Sequence, residues 1–258
     1  FGEHPDQLVL GTAPGLISTP ADRERLLRNF GMERIVTLPF DRKMLETPWQ
    51  DFLEELRKDY GAAGFVCGED FRFGAKGAGT AAMLAQWCRE RGLPWAVVPE
   101  QDYEGVRVSS THIRTLLETG DMARAVAFLG HPYVLTGTVV HGHQLGRTLG
   151  IPTANLVLPE GLAVPRFGVY ACKVRLGDRT YAAVTNIGTR PTVGGHRITV
   201  EPWILDYLGD LYEKTITLEF YEFLRPERKF DSLEELKAEI ERNAEQTREL
   251  FEVPKAFM

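Results

Sequence analysis

The sequence predicts a two-domain protein: an α/β domain, then a small antiparallel β-barrel with a helix at its C-terminal end. Three observations carry this prediction. A chain of 258 residues is long for one domain and comfortable for two. As far as residue 130, strand patterns alternate with helical ones. Beyond Tyr133 the pattern is almost entirely short strands with turn residues between them, which suits a closed barrel. The junction is read at 130–133, giving domains of 1–130 and 131–258.

In the front domain, Leu26, Leu27 and Phe30 share one side of a helix over 21–30. Residues 34–40 read as a strand, and 48–60 as a helix with Thr47 at its N-cap and Pro48 at its first position. A short buried strand at 64–67, a helix over 78–91 and a strand at 95–99 follow. Such alternation implies a parallel sheet covered on both faces. Ser109, Ser110 and Thr111 cap a helix that Gly120 stops, and a short helix spans 122–129.

In the back domain, strands are expected at 133–140, 168–175, 180–186, 199–206 and 215–223, with Gly177-Asp178 as a hairpin turn. Ser232 and Glu235 form a capping box that opens the last helix. Leu233, Leu236, Ile240, Thr247 and Phe251 give that helix one packing face.

A net charge of −6 argues against non-specific nucleic-acid binding, which needs a basic face. Anionic substrates must therefore be drawn by local basic groups. Cys67, Cys88 and Cys172 are too widely spaced for a metal pair or a disulfide framework, which fits a reducing cytoplasm. No apolar run approaches the ~20 residues of a membrane span.

The stretch GTVVHGHQLGRTLGIPTANL at 137–156 carries the most chemistry. Gly142, Gly146 and Gly150 allow sharp turns and close approach to a ligand, and successive backbone N–H groups in such turns hold anions. Arg147 can clamp phosphate oxygens. Thr153 and Asn155 alternate along an extended segment, so a hydroxyl and an amide oxygen share one face. Such ligands suit Mg²⁺ beside a nucleotide phosphate. On spacing alone, plain turn glycines explain the stretch equally well.

GRTLGIPTANL at 146–156 resembles the phosphate-and-metal motif of riboflavin kinases. Nearly the whole chain resembles the bacterial bifunctional riboflavin kinase/FMN adenylyltransferase family, the FAD synthetases. The resemblance implies a truncated Rossmann-like nucleotidyltransferase domain followed by a riboflavin-kinase barrel. It further implies ATP as co-substrate, Mg²⁺, riboflavin and FMN as substrates, and FMN and FAD as products. Glu201, in ITVEPWILDY, matches the family's catalytic base for the ribityl hydroxyl; by itself it reads as a glutamate on a solvated strand face. Arg190 in NIGTRPT and Arg225 in FLRPERKF match flavin-side motifs, though each alone is a plain surface charge.

In the front half, GEDFRFG at 68–74 resembles the family's adenylyltransferase motif, with Gly68, Asp70, Phe71, Arg72 and Phe73 toward flavin and phosphate. By itself the stretch reads as a loop anchored by two phenylalanines. VSSTHIR at 108–114 resembles a second motif, in which Ser110, Thr111 and Arg114 hold ATP phosphates at a helix N-terminus; otherwise it is an ordinary N-cap.

The chain departs from the family pattern at several residues, Leu208 and Glu213 standing where Asp and Gly are usual around Asp210-Leu211-Tyr212. Trp203 stands where histidine is usual, which predicts altered nucleotide binding, and His112 replaces an arginine. Family members also begin with a strand and a GxFDGxHxGH loop. Here the chain opens with Phe1, and 1–5 resembles the segment that follows that loop. Adenylyl transfer by these 258 residues is therefore expected to be poor, with full activity in a longer protein. The alternatives are a riboflavin kinase alone, or a flavin-binding regulatory protein without turnover. The sequence leaves the oligomeric state open.

Overall fold

The computed structural model of the chain describes residues 5–141, 150–192 and 195–252. By its contacts the chain forms two compact units. One comprises Phe1–Ala13 and Arg34–Val108; the other comprises Pro14–Glu33 and Ser109–Met258. Residues 14–33 and 109–130 thus group with the barrel, although the sequence pattern changes only at 130–133.

Through the first unit and its excursion run α1 (Pro5–Leu10), α2 (Pro20–Asn29, in the second unit), α3 (Arg42–Glu46), α4 (Trp49–Tyr60), β1 (Phe65–Gly68), β2 (Arg72–Phe73), β3 (Gly79–Thr80), α5 (Ala81–Glu90), β4 (Trp95–Val98), β5 (Asp102–Tyr103) and β6 (Val106–Arg107). β1 and β4 pair in parallel, with α5 as the crossover between them. Phe52, Leu53, Phe73, Leu84, Trp87 and Cys88 form the core, against which Phe65 and Cys67 of β1 pack. The other face is open among the described residues: Val66 is 71% and Val98 46% exposed. The expected sheet covered on both faces is therefore covered on one.

Three further expectations change. Residues 34–40 form no strand, because a strand needs a ladder partner and none of the described strands pairs with them; Pro39 also lacks a donor. α4 starts one residue late, under Pro48, while the Thr47 hydroxyl donates to the Lys43 carbonyl (2.7 Å) and closes α3. α5 begins at Ala81, since Gly79–Thr80 pairs with β2 and Thr80 becomes the N-cap, accepting from Met83 N at 3.2 Å.

The second unit continues with α6 (Ser110–Thr119), α7 (Met122–Leu129), β7 (Tyr133–Thr138), β8 (Leu156–Val157), β9 (Gly168–Leu176), β10 (Arg179–Thr192), β11 (Gly195–Ile204), β12 (Thr215–Pro226) and α8 (Leu233–Phe251). Six strands form one antiparallel sheet in the order β7-β12-β9-β10-β11-β8. Its edges meet where Val140, just after β7, bridges Asn155, just before β8, so the sheet is a nearly closed barrel. The β9–β10 hairpin turns at Gly177 (φ +59°), as its Gly-Asp sequence predicts. Alternate side chains fill the interior, among them Leu135, Tyr170, Cys172, Val174, Ile187, Val200, Leu218 and Phe220.

Helices cover the barrel outside. α7 packs on β7 and β12, and α8 on β9 and β10. α2 docks through a buried carboxylate: Asp22, 1% exposed, accepts from Arg25 Nη2 (2.9 Å), Thr19 Oγ1 (2.9 Å) and the Thr136 backbone N (3.3 Å) and hydroxyl.

α8 opens as expected, with Ser232 Oγ accepting from Glu235 N at 3.1 Å. Its buried side keeps Thr247, with Leu236, Ile240 and Phe251 half-buried, but is more polar than expected. Glu239, Asn243, Ala244 and Thr247 are buried, whereas Leu233 is 53% exposed. The reason lies on β12 and just beyond it: Arg225 and Arg228 face the helix, and Glu239 and Asn243 receive them. Among the described residues, no helix is long and apolar enough to cross a membrane.

Candidate active site

The barrel closes on the segment the sequence singles out. Val140 N donates to Asn155 O (2.8 Å), and Ala154 N donates to Pro202 O on β11 (2.9 Å). Residues 152–155 are thereby stitched to both neighbours, and extended backbone there turns alternate side chains opposite ways. Ala154 and Leu156 are buried; Thr153 and Asn155 face out, half-exposed. Both line a cleft of about 380 Å³ with Ile204, Tyr207, Asp210 and Tyr212. The far wall is the 207–212 turn, which the sequence reading did not place in the site.

Glu201 is not among the residues lining that cleft; it stands on the strand beside it. It pairs with Asn186 of β10, and its Oε1 accepts from the Thr199 hydroxyl at 3.1 Å. The register Val200↔Leu156, carried on by the Ala154–Pro202 bond, makes Asn155 its neighbour across β11. Cross-strand neighbours present side chains on the same face. Glu227 closes the far end of this row: its Oε1 accepts from Asn186 Nδ2 at 3.4 Å and lies where a Cβ on Gly188 would stand. A side chain at 188 would displace the Glu227 carboxylate. Sequence reasoning missed Glu227 and Asn186, although the NIGTRPT and LRPE segments contain them.

The donor set is one hydroxyl, one amide oxygen and carboxylates nearby. Among the described residues, no group of three or more His, Cys, Asp or Glu could hold a metal unaided. Such a set fits a hard cation that arrives with phosphate oxygens and keeps waters, the usual habit of Mg²⁺.

The other expected kinase residues divide three ways. Gly142, Gly146 and Arg147 lie outside the described residues. Arg190 pairs with Arg197 in β10, but its side chain lies outside the described residues. Arg225 is turned against α8: its Nε donates to Asn243 Oδ1 (3.0 Å), stands 3.4 Å from Glu239 Oε1, and its guanidinium lies over the Phe230 ring. Burial lowers its pKa, and the Glu239 charge opposes that shift. Trp203 is not among the residues lining the cleft. It packs with Val184, Leu205 and Ala244 beneath α8, while the next residue, Ile204, lines the cleft. Two residues after Glu201 on β11, Trp203 shares that residue's face of the strand.

In the first unit, Gly68 ends β1 and Asp70 Oδ2 accepts from Arg107 Nη2 (2.8 Å). Phe71 and Phe73 stack at 5.3 Å between ring centroids. Phe73 is buried in the core, whereas Phe71 is 38% exposed and lines a largely apolar cleft of about 670 Å³ with Phe40, Met44, Phe52 and Arg72. In the second unit, Ser109 caps α6 by accepting from His112 N (3.2 Å), leaving Ser110 and Thr111 in its first turn. Arg114 Nε donates to the Gly15 carbonyl (2.6 Å). The His112 ring packs edge-on against Phe128, 4.6 Å between centroids.

Comparison with known proteins fits this geometry. A relative from Escherichia coli strain K12, a bifunctional riboflavin kinase/FMN adenylyltransferase, is 38% identical over 245 residues, covering 94% of this chain and 78% of that protein. The chain belongs to that family. The riboflavin kinase family model matches residues 129–251 of this bifunctional family member, and the FAD synthetase model residues 1–112. The Listeria monocytogenes bifunctional riboflavin kinase/FMN adenylyltransferase is 32% identical over 231 residues, 89% of this chain and 73% of that protein. A crystal structure from Streptococcus pneumoniae, titled a macrolide-efflux protein, has the same fold with a TM-score of 0.81. It is 33% identical and covers 95% of this chain and 78% of its own.

Proposed function

We propose that this chain phosphorylates riboflavin to FMN with ATP, and that the full-length protein also adenylylates FMN to FAD. The kinase reaction is assigned to 129–251 and the adenylyl transfer to the part matched over 1–112. The protein works in the cytoplasm on small molecules.

The observation that carries the kinase reading is the pairing at the barrel seam: Thr153 and Asn155 face out into one cleft, and Glu201 is the next side chain across β11. Thr153 and Asn155 would hold Mg²⁺, which supplies charge neutralisation on the ATP phosphates when bound. Gly142, Gly146 and Arg147 are proposed to close on the same phosphates. Glu201, oriented by Thr199, takes the proton of the riboflavin 5′-hydroxyl as that oxygen attacks the γ-phosphorus and the bond from that phosphorus to the β–γ bridging oxygen breaks, releasing ADP. The 207–212 turn forms the nucleotide wall. Arg190 and Arg225 belong to the flavin side, where the α8 contacts of Arg225 fix its position. Positioning and electrostatic complementarity carry most of the rate in such phosphoryl transfers.

For the adenylyl transfer, Gly68, Asp70, Phe71, Arg72 and Phe73 are proposed to meet FMN. The exposed ring of Phe71 and the apolar cleft beside it support that role. Ser110, Thr111 and Arg114 are proposed to meet the ATP phosphates from the first turns of α6.

Incubating the protein with riboflavin, ATP and Mg²⁺ and separating products by chromatography tests both parts. FMN is the expected result, with FAD following it in the full-length protein. FMN alone there leaves a kinase, and riboflavin bound but unchanged leaves a binding protein.

A further inference from the structure

The cleft wall at 207–212 is a braced turn with a left-handed residue at each end, Asp206 (φ +59°) and Glu213 (φ +63°). Within it, Tyr212 N donates to Asp210 Oδ1 (3.0 Å) and the Tyr207 hydroxyl to Asp210 O (3.4 Å). At its far end, Glu213 N donates to Val139 O (3.1 Å), and Tyr212 stacks on His141, 3.9 Å between ring centroids. At its near end the anchor comes from outside the barrel. Arg248, in the last turn of α8, places Nη2 3.1 Å from Asp206 Oδ1. The Arg248 side chain is 15% exposed, its Nη1 lies 3.4 Å from Glu245 Oε1, and its Nε is buried in the packing. A guanidinium so held is a fixed point and not a sweeping surface charge.

We propose that Arg248 and Asp206 are a positioning pair for nucleotide binding: the C-terminal helix, through this ion pair, sets the orientation of the 207–212 wall. Neither residue lines the cleft, so both act through the turn. The turn is braced internally, so a change at Asp206 moves the wall as a unit. Thr153 and Asn155, held by backbone bonds to β11 and to Val140, do not depend on the pair. Loss of the pair therefore loosens ATP and leaves riboflavin and the chemical step almost unchanged.

This rests on the cleft being the ATP site. The test titrates ATP and riboflavin separately by calorimetry and measures FMN formation for wild type, Asp206→Asn, Arg248→Gln, Arg248→Lys and the Asn/Gln double variant. Asparagine tolerates a left-handed backbone as aspartate does, so Asp206→Asn removes charge without adding strain. Each neutralising change is expected to weaken ATP binding and raise its KM about fivefold, the scale of one well-held ion pair. Riboflavin binding and kcat at saturating ATP should stay within about twofold, the double variant should be no worse than either single, and Arg248→Lys should recover part of the loss.

Equal losses for both substrates, additive losses in the double variant, or unchanged ATP binding would each overturn the pair. If Arg248→Gln does not fold, Asp206→Asn decides alone, since its side chain is one-third exposed. A wild type that binds ATP but makes no FMN refutes the kinase reading and leaves the ATP titrations to judge the pair. A wild type that binds no ATP sinks both.

Discussion

Glu201 has its carboxylate fixed by Thr199 and stands beside Asn155, an arrangement that suits a base better than a ligand at the cleft floor. Glu201→Gln keeps the size and the hydrogen bond but cannot take a proton. Riboflavin should bind as before while FMN turnover falls about 10²-fold, the scale of lost general-base help; unchanged turnover in a stopped assay would remove the role. Trp203 teaches a different lesson. Its replacement of the family histidine suggests a nucleotide contact, yet its ring packs under α8. Trp203→His should therefore cost about 2 kcal/mol of stability, by loss of half-buried aromatic packing, and leave ATP affinity unaltered. A shift in ATP affinity without a shift in urea midpoint would contradict that placement. What the residues themselves announce is chemistry; which way a side chain points was legible only for Thr153 and Asn155, where alternation on an extended segment decides it.

Among the elements, α2 is the one whose attachment the sequence conceals. Its spacing predicts a helix but says nothing of where it docks. Asp22 answers that question, because a buried carboxylate needs several donors and finds them in Thr19, Arg25 and Thr136. Arg25 Nη1 in turn donates to Thr217 Oγ1 of β12. Asp22→Ala leaves Arg25 and two threonines with an unmatched, partly buried set of donors. The barrel unit should lose about 3 kcal/mol, the lower range for breaking a buried pair. Thermal melts followed by barrel tyrosine signals measure it, and a Tm unchanged within a degree would show that α2 contributes no stability. α8 follows the same logic. Its N-cap is local and was legible in Ser232 and Glu235, whereas its polar seam answers Arg225 and Arg228, whose approach depends on the path of β12.

For the whole molecule, the thiols give a pH signature. Burial raises the pKa of Cys172, and likewise of Cys88 and Cys67, above the ordinary thiol value. The folded protein then holds these protons where the unfolded chain releases them. The stabilisation is whole below the unfolded thiol pKa of about 8.5 and is lost as pH rises beyond it, by up to ~1.4 kcal/mol per pH unit for each thiol. Urea midpoints should be level from pH 6.5 to 8 and fall by pH 9.5, with a smaller fall in Cys172→Ala. An identical fall in that variant would assign the loss to other groups.

By itself the sequence determined whatever depends on a few neighbouring residues: the Gly177 turn, the caps at Ser109 and Ser232, the period-2 strands of the barrel, and the shared face of Thr153 and Asn155. Its motifs also carried the family. Only the tertiary structure decided that 34–40 is not a strand, that 14–33 belongs with the barrel, that the sheet closes at Asn155, and that Glu201 stands beside it. The physical reason is that backbone pairing and burial of polar groups are settled by partners far away in the chain, and no local pattern encodes which partner will be there.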